Sequence, residues 1–258
     1  LTAGRTASQA RYDSTEIWDG SCWTEVNNLN TARYYAAGDG TSTAAILAGG
    51  NAAPGITVNT ETWNGTSWTE VNNLNLARYY AAGDGTSTAA ILAGGNAAPA
   101  VTDETEIWDG TCWSEVNNLN SAREQTDALM GTTAAAIIAT GQLGGLGALT
   151  ANSEKWDGTC WTEVANVNTA RILVAGAGIS TSAIIFAGGP GGAELAITES
   201  WNGTSWTEVA DLAVGRKNTT GSGTATLGLA AGGGTNPTAV ATEEFTAGGI
   251  GDTIKNEG

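Results

Sequence analysis

An all-β fold built from repeated four-stranded antiparallel sheets is predicted by three features of this 258-residue sequence. A tetrad ending in an aromatic residue recurs: TEIW to Trp18, TETW to Trp63, TEIW to Trp108, SEKW to Trp156, TESW to Trp201 and TEEF to Phe245. Successive copies lie 45, 45, 48, 45 and 44 residues apart, a period shared by sheet-built blades and helical HEAT or armadillo units. The second feature decides between them. Asp-Gly or Asn-Gly follows every tetrad Trp, as at Asp19-Gly20 and Asn64-Gly65, and this pair between alternating runs is the strongest short hairpin signal. The third is composition: 37 Gly and only 14% charged residues suit short strands and tight turns.

The elements follow in order within each period. Strand a reads ARYYAAG, joined through Asp39-Gly40 or Asp84-Gly85 to strand b, TAAILAGG. Strand c is TVNTETW, and a two-residue turn leads to strand d, SWTEV. Such a turn pairs residue 17 with 22 and 18 with 21, which puts Trp18 and Trp23 on one sheet face. Four antiparallel strands per repeat, with no helix-period segment, make a propeller blade. Residues 23–54 and 68–99 are identical except for Thr31 against Leu76. Strand a occurs five times, b six, c six and d five. The chain opens inside strand b, since 1–18 align with 46–63, and ends after strand c with the tail TAGGIGDTIKNEG. One propeller domain over 1–258 is expected, with six blades, the alternative being five. The tail is a candidate for the strand that completes the ring. With Leu at position 1, the chain is expected to be a processed or excerpted product.

AILAGG at 45–50 and 90–95, IFAGG at 185–189 and LAAGG at 229–233, each in phase with the aromatic tetrad, resemble kelch repeats. The resemblance covers nearly the whole chain and implies a β-propeller. Thr140-Gly141 and Gly4-Arg5 depart from the diglycine. The Ala-, Asn- and Thr-rich variant with paired Trp is also similar to kelch-like repeat proteins of marine bacteriophage particles.

All 10 Trp occupy repeat positions. Trp18, Trp63, Trp108, Trp156 and Trp201 end strand c, while Trp23, Trp68, Trp113, Trp161 and Trp206 open strand d. Packing between blades is the structural reading, and a sugar-stacking platform the functional alternative. Arg33, Arg78, Arg123, Arg171 and Arg216 recur before strand a, with Glu series through Glu61 in strand c and Glu70 in strand d. Arg–carboxylate pairing that fixes blade register stands against an axial cluster of the kind a glycosidase needs. The paired glycines read as places where backbones crowd near the axis.

Composition excludes several chemistries. The net charge of −16 disfavours duplex nucleic acid and anionic membranes. The sequence has no His, so every Ser-His-Asp or Cys-His triad is removed. Cys22, Cys112 and Cys160 occupy equivalent outer positions, too far apart for disulfides, and are expected as free, partly buried thiols. No Cys-x-x-Cys, phosphate loop or Gly-x-Ser-x-Gly elbow occurs. Asp103, Glu104, Glu124 and Asp127 are scattered carboxylates for which no EF-hand-like spacing supports calcium, so no metal or cofactor is assigned. Residues 172–193 carry no charge, yet they align with the a–b hairpin and are Gly-rich, against a membrane span. No signal-peptide pattern is visible.

Function is then sought where repeats vary. The b–c and d–a loops share a rim rich in asparagine: Asn27, Asn28, Asn30, Asn72, Asn73, Asn75, Asn117, Asn118 and Asn120. Amides suit hydroxyl-rich ligands such as glycans, and turn capping is the plain alternative. The preferred reading is a non-enzymatic structural or adhesive propeller on a phage particle or cell surface, presenting loops to glycans or proteins. Its partners would be other virion or surface proteins, a host glycan, or further copies of itself. An intracellular kelch-like protein-interaction module is the alternative, and a propeller glycosidase ranks below both.

Overall fold

The computed structural model describes residues 2–5, 11–144, 147–234 and 242–247, with backbone alone at 2–5. Among them every regular element is a β-strand. The first sheet holds β1 (Thr2–Arg5), β2 (Arg11–Trp18) and β3 (Trp23–Val26). The next two are complete blades: β4 (Ala37–Thr41), β5 (Ala44–Ala48), β6 (Thr60–Trp63) and β7 (Trp68–Val71); then β8 (Ala82–Thr86), β9 (Ala89–Ala93), β10 (Thr105–Trp108) and β11 (Trp113–Val116). A short β12 (Arg123–Glu124) precedes β13 (Leu129–Thr132) and β14 (Ala135–Ala139), and pairs with β15 (Gln142–Leu143). β16 (Ser153–Trp156) and β17 (Trp161–Val164) complete that blade. β18 (Ala175–Ile179), β19 (Ser182–Phe186), β20 (Thr198–Trp201) and β21 (Trp206–Glu208) form another, and β22 (Thr220–Gly223), β23 (Leu227–Ala231) and β24 (Thr242–Thr246) the last sheet.

Four complete blades thus stand between two three-stranded sheets made from the ends of the chain. Five innermost strands, β4, β8, β13, β18 and β22, follow one another in contact around the axis, the number that the five-bladed alternative requires. The b–c strand pair occurs six times among the described residues. Most of the tail, residues 248–258, lies outside them.

Two turns differ from the sequence reading. Asp39-Gly40 and Asp84-Gly85 are inside strands β4 and β8, where Asp39 faces Ile46 and Asp84 faces Ile91. The turn falls at Ser42-Thr43, closed by Thr41 Oγ1, which accepts from the Ala44 N–H at 3.1 Å. The inner strand is therefore AGDGT, and ARYY belongs to the connection that enters it. The c–d turn is also longer than two residues: Trp18 pairs directly with Trp23 across Asp19–Cys22. Asp19 Oδ1 organises it by accepting from the N–H groups of Ser21 and Cys22 at 2.8 Å each, so only Gly20 needs a positive φ. Both registers put the two Trp side by side, with centroids 5.4 Å apart.

The blades are joined by three repeated devices. Trp63, Trp108, Trp156 and Trp201 are 2% exposed or less and donate to an a–b turn carbonyl of their own blade, as Trp63 does to Ser42 at 3.0 Å. Trp68, Trp113, Trp161 and Trp206 instead donate across the interface to the hydroxyl that opens the preceding tetrad: Thr15, Thr60, Thr105 and Ser153, at 2.9 to 3.0 Å. Trp108 and Trp113 pack with Ala37 and Ile46 of the blade before. The indoles are interblade packing with their polar edges satisfied, which leaves no open stacking platform in these blades.

The second device is ionic. Arg33 leaves the first sheet's connection and pairs with Glu61 of the next blade at 2.7 Å, both side chains fully buried. Glu61 Oε2 accepts from the backbone and side-chain N–H groups of Asn30 at 2.8 Å. Arg78–Glu106, Arg123–Glu154 and Arg171–Glu199 repeat the pair, and Arg216 pairs with Glu243. Burial pulls the guanidinium pKa of Arg33 down and the facing Glu61 opposes that pull.

The third device is the diglycine. Gly50 N–H donates to the Arg78 carbonyl at 2.8 Å, and a Cβ on Gly49 would come within 2.6 Å of the same oxygen. What crowds Gly49 is the main chain carrying the next blade's arginine, whereas a Cβ on Gly50 would meet Ala36 at the entry to the inner strand.

Candidate functional site

The arginine connections meet near the axis in a run of backbone hydrogen bonds. Tyr35, Tyr80, Gln125, Leu173 and Asn218 hold φ values of 56°, 56°, 58°, 57° and 55°. The N–H of Tyr80 donates to the Tyr35 carbonyl at 3.0 Å, Gln125 to Tyr80 at 3.2 Å, Leu173 to Gln125 at 2.7 Å and Asn218 to Leu173 at 3.2 Å. This run of bonds forms a collar along one mouth of the axis. Because four residue types satisfy the same backbone at these five positions, side-chain choice is set by something other than the collar's geometry.

Two repeats place tyrosine pairs there. The Tyr35 and Tyr80 rings stack with centroids 3.8 Å apart, Tyr34 meets Tyr35 edge-on at 4.8 Å, and Tyr79 lies 5.0 Å from Tyr80. All four are half-buried. The Arg11 guanidinium sits over the Tyr34 ring, 5.4 Å from its centroid, and donates to Asn51 Oδ1 at 2.8 Å. Asn51 and Asn96, at the start of the b–c loops, bridge to Tyr34 and Tyr79. Next to them Glu124 accepts from Asn96 Nδ2 at 3.0 Å and Gln142 Nε2 at 3.4 Å. Burial raises the pKa of Glu124, with Asn96 opposing, and burial with the Glu124 charge raises that of Tyr79.

Further into the ring lie three carboxyls. Asp84 donates to Asp39 on the neighbouring inner strand, while Asp84 Oδ2 accepts from the Gly131 N–H at 2.6 Å. Burial and the Asp39 charge push Asp84 up to about 8. Asp127 is pushed up to about 7, by its enclosure and then by Asp39, although much of its own surface is open. A side chain enclosed by the fold yet reached by solvent is what a channel wall presents. Among the described residues no group of three or more Cys, Asp or Glu has the geometry to hold a metal ion.

The asparagines singled out in the sequence are employed elsewhere. Asn30, Asn75 and Asn120 hold the buried Glu61, Glu106 and Glu154. Asn27, Asn72 and Asn117 donate to the Thr66, Thr111 and Thr159 carbonyls of the following blade's c–d turn, at 2.7 to 2.8 Å. Asn73 Oδ1 accepts from the Thr60 N–H at 3.2 Å, and Asn118 reaches Asp103 at 3.4 Å. Asn28 is exposed. The three thiols, expected as partly buried, are exposed and free, with Cys22 Sγ 3.4 Å from Asp19 Oδ2; the outermost turn has nothing beyond it to cover them. Residues 172–193 form the β18–β19 hairpin and its flanks, and no helix among the described residues is long and apolar enough to cross a membrane.

The tyrosines were missed because ARYY reads as strand. Their signal is a break in phase: Tyr34-Tyr35 and Tyr79-Tyr80 become Glu124-Gln125, Ile172-Leu173 and Lys217-Asn218 in later repeats. Asp39 and Asp84 read as turn residues in the sequence, and they give way to Met130, Ala177 and Ser222.

No protein-family model matches this chain, and no curated protein does. Among solved structures, that of YjhT is similar with a TM-score of 0.73 over 94% of this chain and 96% of that chain, at 13% identity. The chain is a β-propeller. At that identity the likeness carries the fold alone.

Proposed function

We propose that this propeller is a non-enzymatic structural or adhesive component, kelch-like in its repeats, displayed on the surface of a phage particle or a cell. It binds glycan or protein through the face that carries the collar. The observation that supports this most is the division of labour among its residues. The recurring Arg, Glu and Trp, and most of the rim asparagines, are bonded within or between blades, and chemical variety is concentrated where the b–c loops meet the collar. Binding residues on loops held by a rigid scaffold are the usual arrangement.

The axial carboxyls support a non-hydrolytic reading. Glycosidase carboxyl pairs stand about 5 Å or more apart so that a sugar fits between them, whereas Asp39 and Asp84 are bonded to each other. A glycan array run beside a hydrolysis assay on the same glycans tests the proposal: retention without turnover is expected, and turnover of any glycan by the purified chain overturns it. Locating the protein in a density map of its native assembly tests the surface placement.

A further inference from the structure

The geometry points to a neutral-carbohydrate site at the collar mouth, built by Tyr34, Tyr35, Tyr79 and Tyr80 with the amides of the adjoining b–c loops. It rests on the adhesive reading above and gives that reading a location and a ligand class.

Three observations carry it. The collar position accepts Tyr, Gln, Leu and Asn with the same φ, so its backbone does not call for aromatic rings. The rings also lie outside the interblade packing that occupies every buried Trp. Four half-buried rings with contacts of 3.8 to 5.0 Å instead form one continuous aromatic surface at a solvent-facing mouth.

The rim of that surface is polar in a particular way. Asn51, Asn96 and Gln142 place amide groups there, each held by a bond to Arg11 or Glu124, and Glu124 is a largely buried acceptor oriented by Asn96 and Gln142. Aromatic faces beside oriented amides and one carboxylate match a cyclic polyol, with its C–H face against the rings and hydroxyls toward the polar groups. Charge argues against an anionic ligand. Arg11 is engaged by Asn51 and Tyr34, Glu124 and the axial aspartates stand nearby, and the chain carries −16 overall.

Tyr35→Asn and Tyr80→Asn test the site without disturbing the collar, because Asn218 already occupies the equivalent conformation. Wild type, both variants and a Cys22→Ser control at the outer turn are measured on an array of neutral and acidic oligosaccharides, with hits quantified by calorimetry. Wild type and control should bind a neutral oligosaccharide, and each tyrosine variant should lose about tenfold or more in affinity, with unchanged thermal unfolding. Equal binding by the tyrosine variants overturns the site while leaving glycan adhesion standing. Exclusive binding of acidic glycans, or of none, overturns the ligand class.

Discussion

The buried Arg–Glu pairs show what a single residue does here. Arg78 is 1% exposed and reaches both Glu106 and the Glu104 carbonyl. Removing one partner leaves the other charge buried and unpaired, a loss of about 3–5 kcal/mol. Arg78→Ala should therefore lower the urea midpoint far more than a joint change to apolar residues, Arg78→Met with Glu106→Leu, and equal losses would show that the ionic pairing is not what matters. The axial aspartates make stability fall with rising pH. Their folded pKa values, about 8 for Asp84 and about 7 for Asp127, lie above the unfolded value, so the folded state holds more protons between about pH 4 and pH 8. Stability contributed by these groups is full below pH 4, declines across that window and levels off above it, Asp127 contributing less because solvent screens its exposed side chain. Melting curves from pH 5 to 9 should show the decline, and Asp84→Asn should flatten it.

Strands and turns obey a different constraint, the room available between backbones. Gly94 has φ +68°, and a Cβ there would lie 2.5 Å from the Arg123 carbonyl, whereas a Cβ on Gly55 meets nothing within 4 Å. Gly94→Ala is expected to cost about 2 kcal/mol or more and Gly55→Ala to be close to neutral, both read by chemical denaturation. The same elements show how far the sequence could be read. Tetrads and the Asp-Gly or Asn-Gly pairs that follow them located strands c and d, because local turn chemistry and alternation are written in adjacent residues. The placement of Asp39 in a strand was hidden, since the left-handed turn at Tyr35 that starts the inner strand depends on collar bonds to other repeats. The roles of Asn30 and Asn75 were hidden for the same reason, their glutamates lying 31 residues away.

At the scale of the whole molecule the chain ends meet. Trp23 donates to Thr242 Oγ1 at 3.1 Å, the same kind of bond that Trp68, Trp113, Trp161 and Trp206 make to the blade before, so the first and last sheets meet. This seam is less covered than the others: Trp18 and Trp23 are partly exposed, whereas the remaining eight Trp are at most 7% exposed. Local opening is easiest where buried apolar contact is least. Hydrogen exchange should accordingly be faster in β2, β3 and β24 than in β9, β10, β14 and β16, and uniform protection around the ring would contradict a seam.

Short-range pattern alone determined the repeat, the antiparallel strands, the packing role of the Trp pairs and the exclusion of His-dependent chemistry, because each is a property of residue type and spacing. Only the tertiary structure decided which polar residues are occupied by other blades and which gather at the axis. Tyr35 and Tyr80, or Asp39 and Asp84, are 45 residues apart in the chain and become neighbours only when successive blades are wound around one centre.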